Sequence, residues 1–402
     1  MTLDKILSIK TFAEAQALIS RCKTPQGLFP WIITKKSLQE KQDLTTKAFR
    51  ALSVLVHPDK NPAAKARAEI AFKALEGFRT QADEICSGVK KKNIHDNGVL
   101  VNPVVFSTKH GTYTAVRRIA EGATCTVFEG TLQSKGQVSG LEVLMRVPNS
   151  YRDNDLMKRE AVAFGVMRNK EKEMGKTPEG KEAAKRFMAR LPGFLGSVEL
   201  EQPGVPDKKV VNTFVKPGNL DEWYTLVQIH DQYPDGLDPR IMCFIWNRIL
   251  EALTFTHAAR IVHGALTPNH ILVRPRDHAG LLIDWTASTM VASGDRVPYL
   301  DSKYCTLLPP EITGTVGLAN PSSDIYTSAW SMVWLLGGEP VEQSIPAHVP
   351  EPFRQILNRC LQPKISSRYR NVSEVYEHFQ QAARGLWGPR KFVELTMPRA
   401  VA

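Results

Sequence analysis

Apolar residues recur at helical spacing through residues 1–85. Phe12, Ala15 and Ile19 fall on one stripe and predict an amphipathic helix within residues 1–22. A segment punctuated by Pro25, Gly27 and Pro30 follows. From Leu38 to Val56 the pattern is sharper, with Leu44, Ala48, Leu52 and Leu55 on one face and Lys41, Lys47 and Arg50 projecting elsewhere. Pro58 interrupts this helix, because proline cannot continue it and restrains the residue before. Asn61-Pro62 predicts a new start, Asn as N-cap and Pro at the first helical position. The second stripe is Ala68, Phe72, Leu75, Phe78, Ala82 and Ile85. Two such helices with so short a connection predict an antiparallel hairpin, His57-Pro58-Asp59-Lys60 lying exposed at its tip.

The period then changes. Residues 86–102, with Lys90-Lys91-Lys92 and Asp96-Asn97-Gly98, read as a linker. Alternating stretches at 113–119, 126–132 and 141–147 predict strands. The charged stretch 169–186 reads as a surface insertion. A hairpin is expected from 198–200 and 209–214, joined through Pro203-Gly204. Beyond Asp221 the chain reads as mostly helical, with short strands at 271–273 and 281–283. Strands first and helices afterwards predict an α+β arrangement.

Composition narrows the classes. The 402 residues exceed one ordinary domain, and 43% hydrophobic with 23% charged residues describes a globular protein. No apolar run reaches the length of a membrane span, and the first residues carry no secretion signal. Cys22, Cys86, Cys125, Cys243, Cys305 and Cys360 are scattered, without a C-x-x-C pair, which argues against a zinc site or disulfide frame and for a reducing cytoplasm. The net charge of +11 is concentrated early: residues 1–100 hold 17 Lys/Arg against 10 Asp/Glu. That suggests a solvated basic face or an acidic partner surface. Aromatic and basic residues do not interleave as single-stranded nucleic acid requires, so nucleic acid is not the expected partner.

Ala48-Phe49-Arg50-Ala51-Leu52 leads into His57-Pro58-Asp59-Lys60-Asn61-Pro62 and then a helix bearing Phe72-Lys73. Over residues 30–86 this resembles the J-domain of DnaJ-type co-chaperones, preceded by a helical extension at 1–29. The resemblance implies that this loop and the basic face of the preceding helix (Lys47, Arg50) dock onto a DnaK-type chaperone ATPase and stimulate hydrolysis. Asp59 would offer a charge-assisted acceptor to a partner Arg, Pro58 would stiffen the loop and His57 would support it. One departure is Val54-Leu55-Val56, where a basic residue is usual.

After a linker at 87–112, residues 113–384 resemble a protein kinase, in N-lobe (113–218) and C-lobe (219–384) order, with a tail at 385–402. Gly122 lies in Ile119-Ala-Glu-Gly-Ala-Thr-Cys-Thr-Val127, similar to a Gly-rich loop. Arg146 in Val143-Leu-Met-Arg146 stands where Lys is usual, with Glu160 as its expected pair. Residues 261–272 lie on the H-R-D-L-x-x-x-N loop: His263 and Pro268 are kept, while Gly264, Ala265 and His270 replace the Arg, the general-base Asp and the metal-holding Asn. Asp284-Trp285-Thr286 matches D-F-G with only the Asp retained, and Pro309-Pro310-Glu311 matches A-P-E. Asp324, Trp330 and Arg368 fit positions that hold the fold.

Ala265 cannot accept a proton, a loss of about 10²–10⁴ in rate. His270 suits softer metals than magnesium. The resemblance thus implies a pseudokinase in which Gly122, Arg146, Glu160 and Asp284 are left for weak ATP binding through one Mg²⁺ on Asp284. The leading expectation is a non-catalytic co-chaperone or adaptor whose larger domain binds a client or partner protein. The alternatives are a divergent active Ser/Thr protein kinase localised by its J-domain, and a scaffold degenerate in both modules.

Overall fold

A computed structural model of the chain describes residues 2–22, 25–34, 37–87, 98–108, 111–134, 140–202, 205–291, 296–298, 306–313, 317–339 and 344–397. Lys90-Lys91-Lys92, Pro203-Gly204, Cys305 and the end of the tail lie outside these residues. The chain divides into two compact units, Met1–Asn93 and a second one formed by Ile94–Leu300 and Thr306–Ala402.

The first unit is helical. Within residues 1–22 the chain is helical as expected, in two helices, α1 (Leu3–Leu7) and α2 (Phe12–Arg21). The break has a local cause. Thr11 and Glu14 form a reciprocal capping box that starts α2 afresh. After α3 (Pro25–Leu28) comes α4 (Leu38–Val56), whose bounds agree with the apolar stripe and which opens on a second capping box, Ser37 with Glu40. α5 (Lys65–Ser87) packs against α4. Ala48, Leu52, Val56, Ala71, Leu75 and Ala82 are buried from this pair. Ile6, Ala15, Ile19, Leu28 and Phe29 belong to the same core, so segment 1–29 is built into the helical unit rather than appended to it.

Asn61 departs from its expected role. Its side chain makes no cap to the helix that follows. Its Nδ2 instead donates to the carbonyls of Leu55 (2.8 Å) and His57 (3.0 Å), so it closes the end of α4. Two 3₁₀ turns, Pro58–Lys60 and Pro62–Ala64, carry the chain to α5.

The second unit is α+β. Six antiparallel strands, β1 (Gly98–Thr108), β2 (Gly111–Glu121), β3 (Cys125–Gln133), β4 (Leu141–Pro148), β5 (Phe194–Gln202) and β6 (Val205–Val215), form a sheet in the order β1-β2-β3-β4-β6-β5. The sheet curls until β1 nears β5, around a core of Tyr113, Ala115, Leu132, Val143, Met145, Val198 and Val211. β1 falls within the stretch read as a linker. Its exposed Val104 and Val105 hide the alternation that marks a half-buried strand, and Pro103 sits where its register shifts, as proline does on an edge strand.

The charged stretch 169–186 lies largely exposed, as expected of a surface segment, and is helical. It completes α6 (Asn154–Met174) and forms α7 (Pro178–Met188), which begins on a Thr177 cap with Pro178 at its first position. The rest of this unit surrounds α9 (Pro239–Ala258) and α11 (Pro321–Leu335), most of whose residues are buried. α8 (Leu226–Gln232), α10 (Pro310–Thr313), α12 (Glu351–Cys360) and α13 (Val372–Trp387) complete the helices. Two small sheets pair β7 (Tyr224–Thr225) and β10 (Ala279–Leu282) with β9 (Ile271–Arg274), and β8 (Ile261–Val262) with β11 (Thr289–Met290). No helix among the described residues is long and apolar enough to cross a membrane.

Candidate functional site

In the helical unit the residues of interest gather where α4 turns toward α5. His57 ends α4 with extended backbone, and its ring meets Phe72 of α5 edge-on, centroids 5.2 Å apart. Pro58 then begins the one-turn helix that contains Asp59. The amide of Lys60 donates to His57 C=O and that of Asn61 to Pro58 C=O, each at 3.1 Å. Lys47 and Arg50 are exposed on α4, and Val54 beside the loop is 51% exposed. Arg79 of α5 covers the Phe49 ring at 4.5 Å, a cation–π contact that ties the two helices together. The Asp59, Lys73 and Ile85 side chains lie outside the described ones.

In the α+β unit four elements converge on one guanidinium. Arg146 comes from β4, Glu160 from α6, Cys125 from the start of β3, and Asp284 from the turn after β10. Arg146 Nη1 binds Glu160 Oε1, while Nη2 lies 2.9 Å from Asp284 Oδ1 and 3.2 Å from Cys125 Sγ. Glu160 is fully buried. Its Oε1 also accepts from the Trp285 amide (3.1 Å) and its Oε2 from Asn212 Nδ2 (2.9 Å). Asp284 has left-handed backbone (φ 61°), a conformation Asp tolerates better than most residues. Its Oδ1 accepts from the Thr286 hydroxyl and its Oδ2 lies 3.5 Å from His270 Nε2.

Opposed effects set the charges. Burial pushes the Asp284 carboxyl up, but Arg146 and His270 outweigh it and hold the group well below the usual carboxylate range. Burial also opposes the charge of Arg146, and Asp284 and Glu160 keep that guanidinium protonated more firmly than usual. Glu160 lies above its ordinary value because burial exceeds the attraction of Arg146. Burial likewise raises the Cys125 thiol.

Ala265 is buried and presents a methyl group. Its carbonyl accepts from His270 Nδ1 at 2.7 Å, which turns that ring nitrogen away from Asp284. The loop holding both is suspended from Asp324, whose carboxylate accepts the amides of His263 (2.8 Å) and Gly264 (3.0 Å) and meets His257 Nε2 at 2.9 Å. Gly122 opens the β2–β3 turn. Its N–H donates to Cys125 C=O and its C=O accepts from Asn149 Nδ2, both at 2.8 Å, so both its polar groups face its own chain.

The sequence-predicted residues Arg146, Glu160, Asp284 and His270 are thus brought together, and Ala265 adjoins them through His270. Cys125 is marked in the sequence only as standing where the Gly-rich loop has a glycine, and sequence reasoning missed Asn212 and His257. Asn212 left a signal, a lone amide in the apolar strand run Val210-Val211-Asn212-Thr213-Phe214. His257 left none.

These residues do not fit a magnesium-bound nucleotide. Mg²⁺ requires near-octahedral oxygen ligands, and three of the four carboxylate oxygens here are taken by Arg146, Trp285, Asn212 or Thr286. The fourth faces an imidazole. Among the described residues no group of three His, Cys, Asp or Glu side chains is placed to hold a metal ion. In comparisons with known proteins, no protein-family model and no curated protein matches the chain.

Proposed function

We propose that this chain is a non-catalytic adaptor of the co-chaperone type: a J-domain that recruits and stimulates a DnaK-type chaperone ATPase, joined to a pseudokinase that binds a client or partner protein. The observation that carries the reading is the α4–α5 turn. A turn braced by the Asn61 hydrogen bonds and by the His57–Phe72 contact carries Pro58 and Asp59 after a helix that exposes Lys47 and Arg50. An Asp at this turn, following a helix with exposed cations, suits a partner with a basic pocket and an acidic rim, the cations steering encounter and the carboxylate setting register.

The chemistry around Ala265 supports the second half of the reading. A methyl group and a carbonyl stand where a kinase needs a proton acceptor, and the nearby carboxylate, Asp284, is held by Arg146. Phosphoryl transfer rests on positioning and charge neutralisation; Ala265 has no side-chain group to position a nucleophile, and the Asp284 carboxylate is neutralised by Arg146 instead of by a metal ion.

The test is single-turnover ATP hydrolysis by a DnaK-type chaperone in the presence of the full chain. The wild-type chain accelerates hydrolysis and Asp59→Asn does not; a wild-type chain without effect sinks the proposal. Phosphate transfer to protein that Asp284→Ala abolishes would favour a divergent kinase instead.

A further inference from the structure

We infer that Arg146 is a fixed internal cation standing where a metal-bound triphosphate would have to enter, and that it closes the α+β unit to Mg²⁺ and to nucleoside triphosphates. The inference rests on the pseudokinase reading and deepens it: partner binding by this unit is constitutive rather than switched by nucleotide.

Three observations meet here. The first is geometric. The planar guanidinium spans two carboxylates from different elements, Nη1 on Glu160 and Nη2 on Asp284. A flexible ammonium is a single point charge and does not present such a fork. The second is burial. The Arg146 side chain is 9% exposed and that of Glu160 is 1% exposed. Drawing Asp284 toward a metal would leave a guanidinium in a dry site with one carboxylate fewer, and the metal's own charge would then face that of Arg146.

The third is the β2–β3 turn. Phosphate-binding turns offer free backbone N–H groups to the anion. Here the Gly122 amide is spent on Cys125 C=O, and Asn149 pins the turn through the Gly122 carbonyl and the Thr126 hydroxyl. Arg146 also contacts Cys125 at the foot of this turn, so one side chain joins the turn, α6 and the Asp284 segment. It supplies the neutralisation that a metal ion would otherwise provide, and supplies it permanently.

The experiment is thermal unfolding of the full chain with MgCl₂, with ATP and with both at millimolar concentration, beside titration of a fluorescent ATP analogue. A ligand that binds only the folded state raises the midpoint by mass action. The expected result for the wild-type chain is a midpoint unchanged within about 1 °C and no analogue binding. A rise with Mg²⁺ or Mg-ATP, or analogue binding that Asp284→Ala removes, overturns the inference. Arg146→Lys keeps the charge but not the fork, and is expected to gain Mg²⁺-dependent analogue binding by at least about tenfold. A folded Arg146→Lys chain that still binds nothing overturns the assignment to Arg146. Nucleotide binding without phosphate transfer defeats this inference alone and leaves the adaptor reading standing, whereas transfer of the γ-phosphate defeats both.

Discussion

Arg368 grips both carboxylate oxygens of Glu311, Nη1 to Oε1 at 2.7 Å and Nη2 to Oε2 at 2.9 Å. The guanidinium is buried, and its remaining donors are satisfied by the carbonyls of Gln362, Pro363 and Ser322. Its plane lies over Tyr326 of α11. This pair ties the segment before α13 to α10. Removing one partner leaves the other charged and unpaired. Arg368→Ala or Glu311→Gln should each cost about 3–5 kcal/mol, measured by urea unfolding. The joint replacement Arg368→Met with Glu311→Leu should cost less than the two single changes combined.

Gly264 adopts φ +79°, and a Cβ there would lie 2.6 Å from the carbonyl oxygen of Ala287. Both features demand glycine. Gly264→Ala should therefore destabilise the α+β unit by about 2 kcal/mol or more, read as a lowered thermal midpoint.

His263 is fully buried. Its Nε2 donates to Ile283 C=O at 3.0 Å, and its Nδ1 has no hydrogen-bond partner among the described residues. Burial lowers its pKa to about 4, against the partial opposition of Asp324 and with help from His270. A histidine depressed on folding stabilises fully above its unfolded value near 6.5, and that contribution is lost as pH falls toward 4. Stability should drop by about 3 kcal/mol over this window on account of this group. Urea unfolding at a series of pH values, beside His263→Gln, checks it: the variant should show the shallower slope.

Asn61 holds two carbonyls at the end of α4. Asn61→Ala removes both bonds, and the helical unit should lose about 1–2 kcal/mol. Amide hydrogen exchange of the full chain should show the loss in α4 and α5 and no change around Arg146.

Lys47 and Arg50 are exposed on α4. Under the proposed adaptor function, reversing both to Glu should slow association with a DnaK-type chaperone about tenfold at low salt and flatten its dependence on ionic strength. Stopped-flow binding measures this, and unchanged kinetics would remove these two residues from the docking face.

Much of the helical unit was legible in the chain alone. The α4 stripe of Leu44, Ala48, Leu52 and Leu55 marks a helix because a 3.6-residue period has one physical meaning, and Pro58 marks its end for reasons of covalent geometry. The strands β2, β3 and β4 were equally plain, since alternation reports one buried face. β1 was not: its exposed valines face no core, and only pairing with β2 makes it a strand. Asn61 shows the same limit at one residue. Its identity announces a cap, but which helix end it serves depended on where the Leu55 and His57 carbonyls came to lie.

The candidate site divides likewise. Sequence alone determined that Ala265 carries no base, because no fold returns a carboxylate to a methyl group, and it marked Arg146, Glu160 and Asp284 for one locality. Tertiary structure decided what they do to one another. That Arg146 reaches both carboxylates and that Asn212 and the Trp285 amide satisfy Glu160 are matters of distance between groups separated along the chain, and that His270 turns Nδ1 to the Ala265 carbonyl depends on the path of the loop that holds both. Electrostatic and hydrogen-bonding energies depend on separation and burial, and neither exists until the chain has folded.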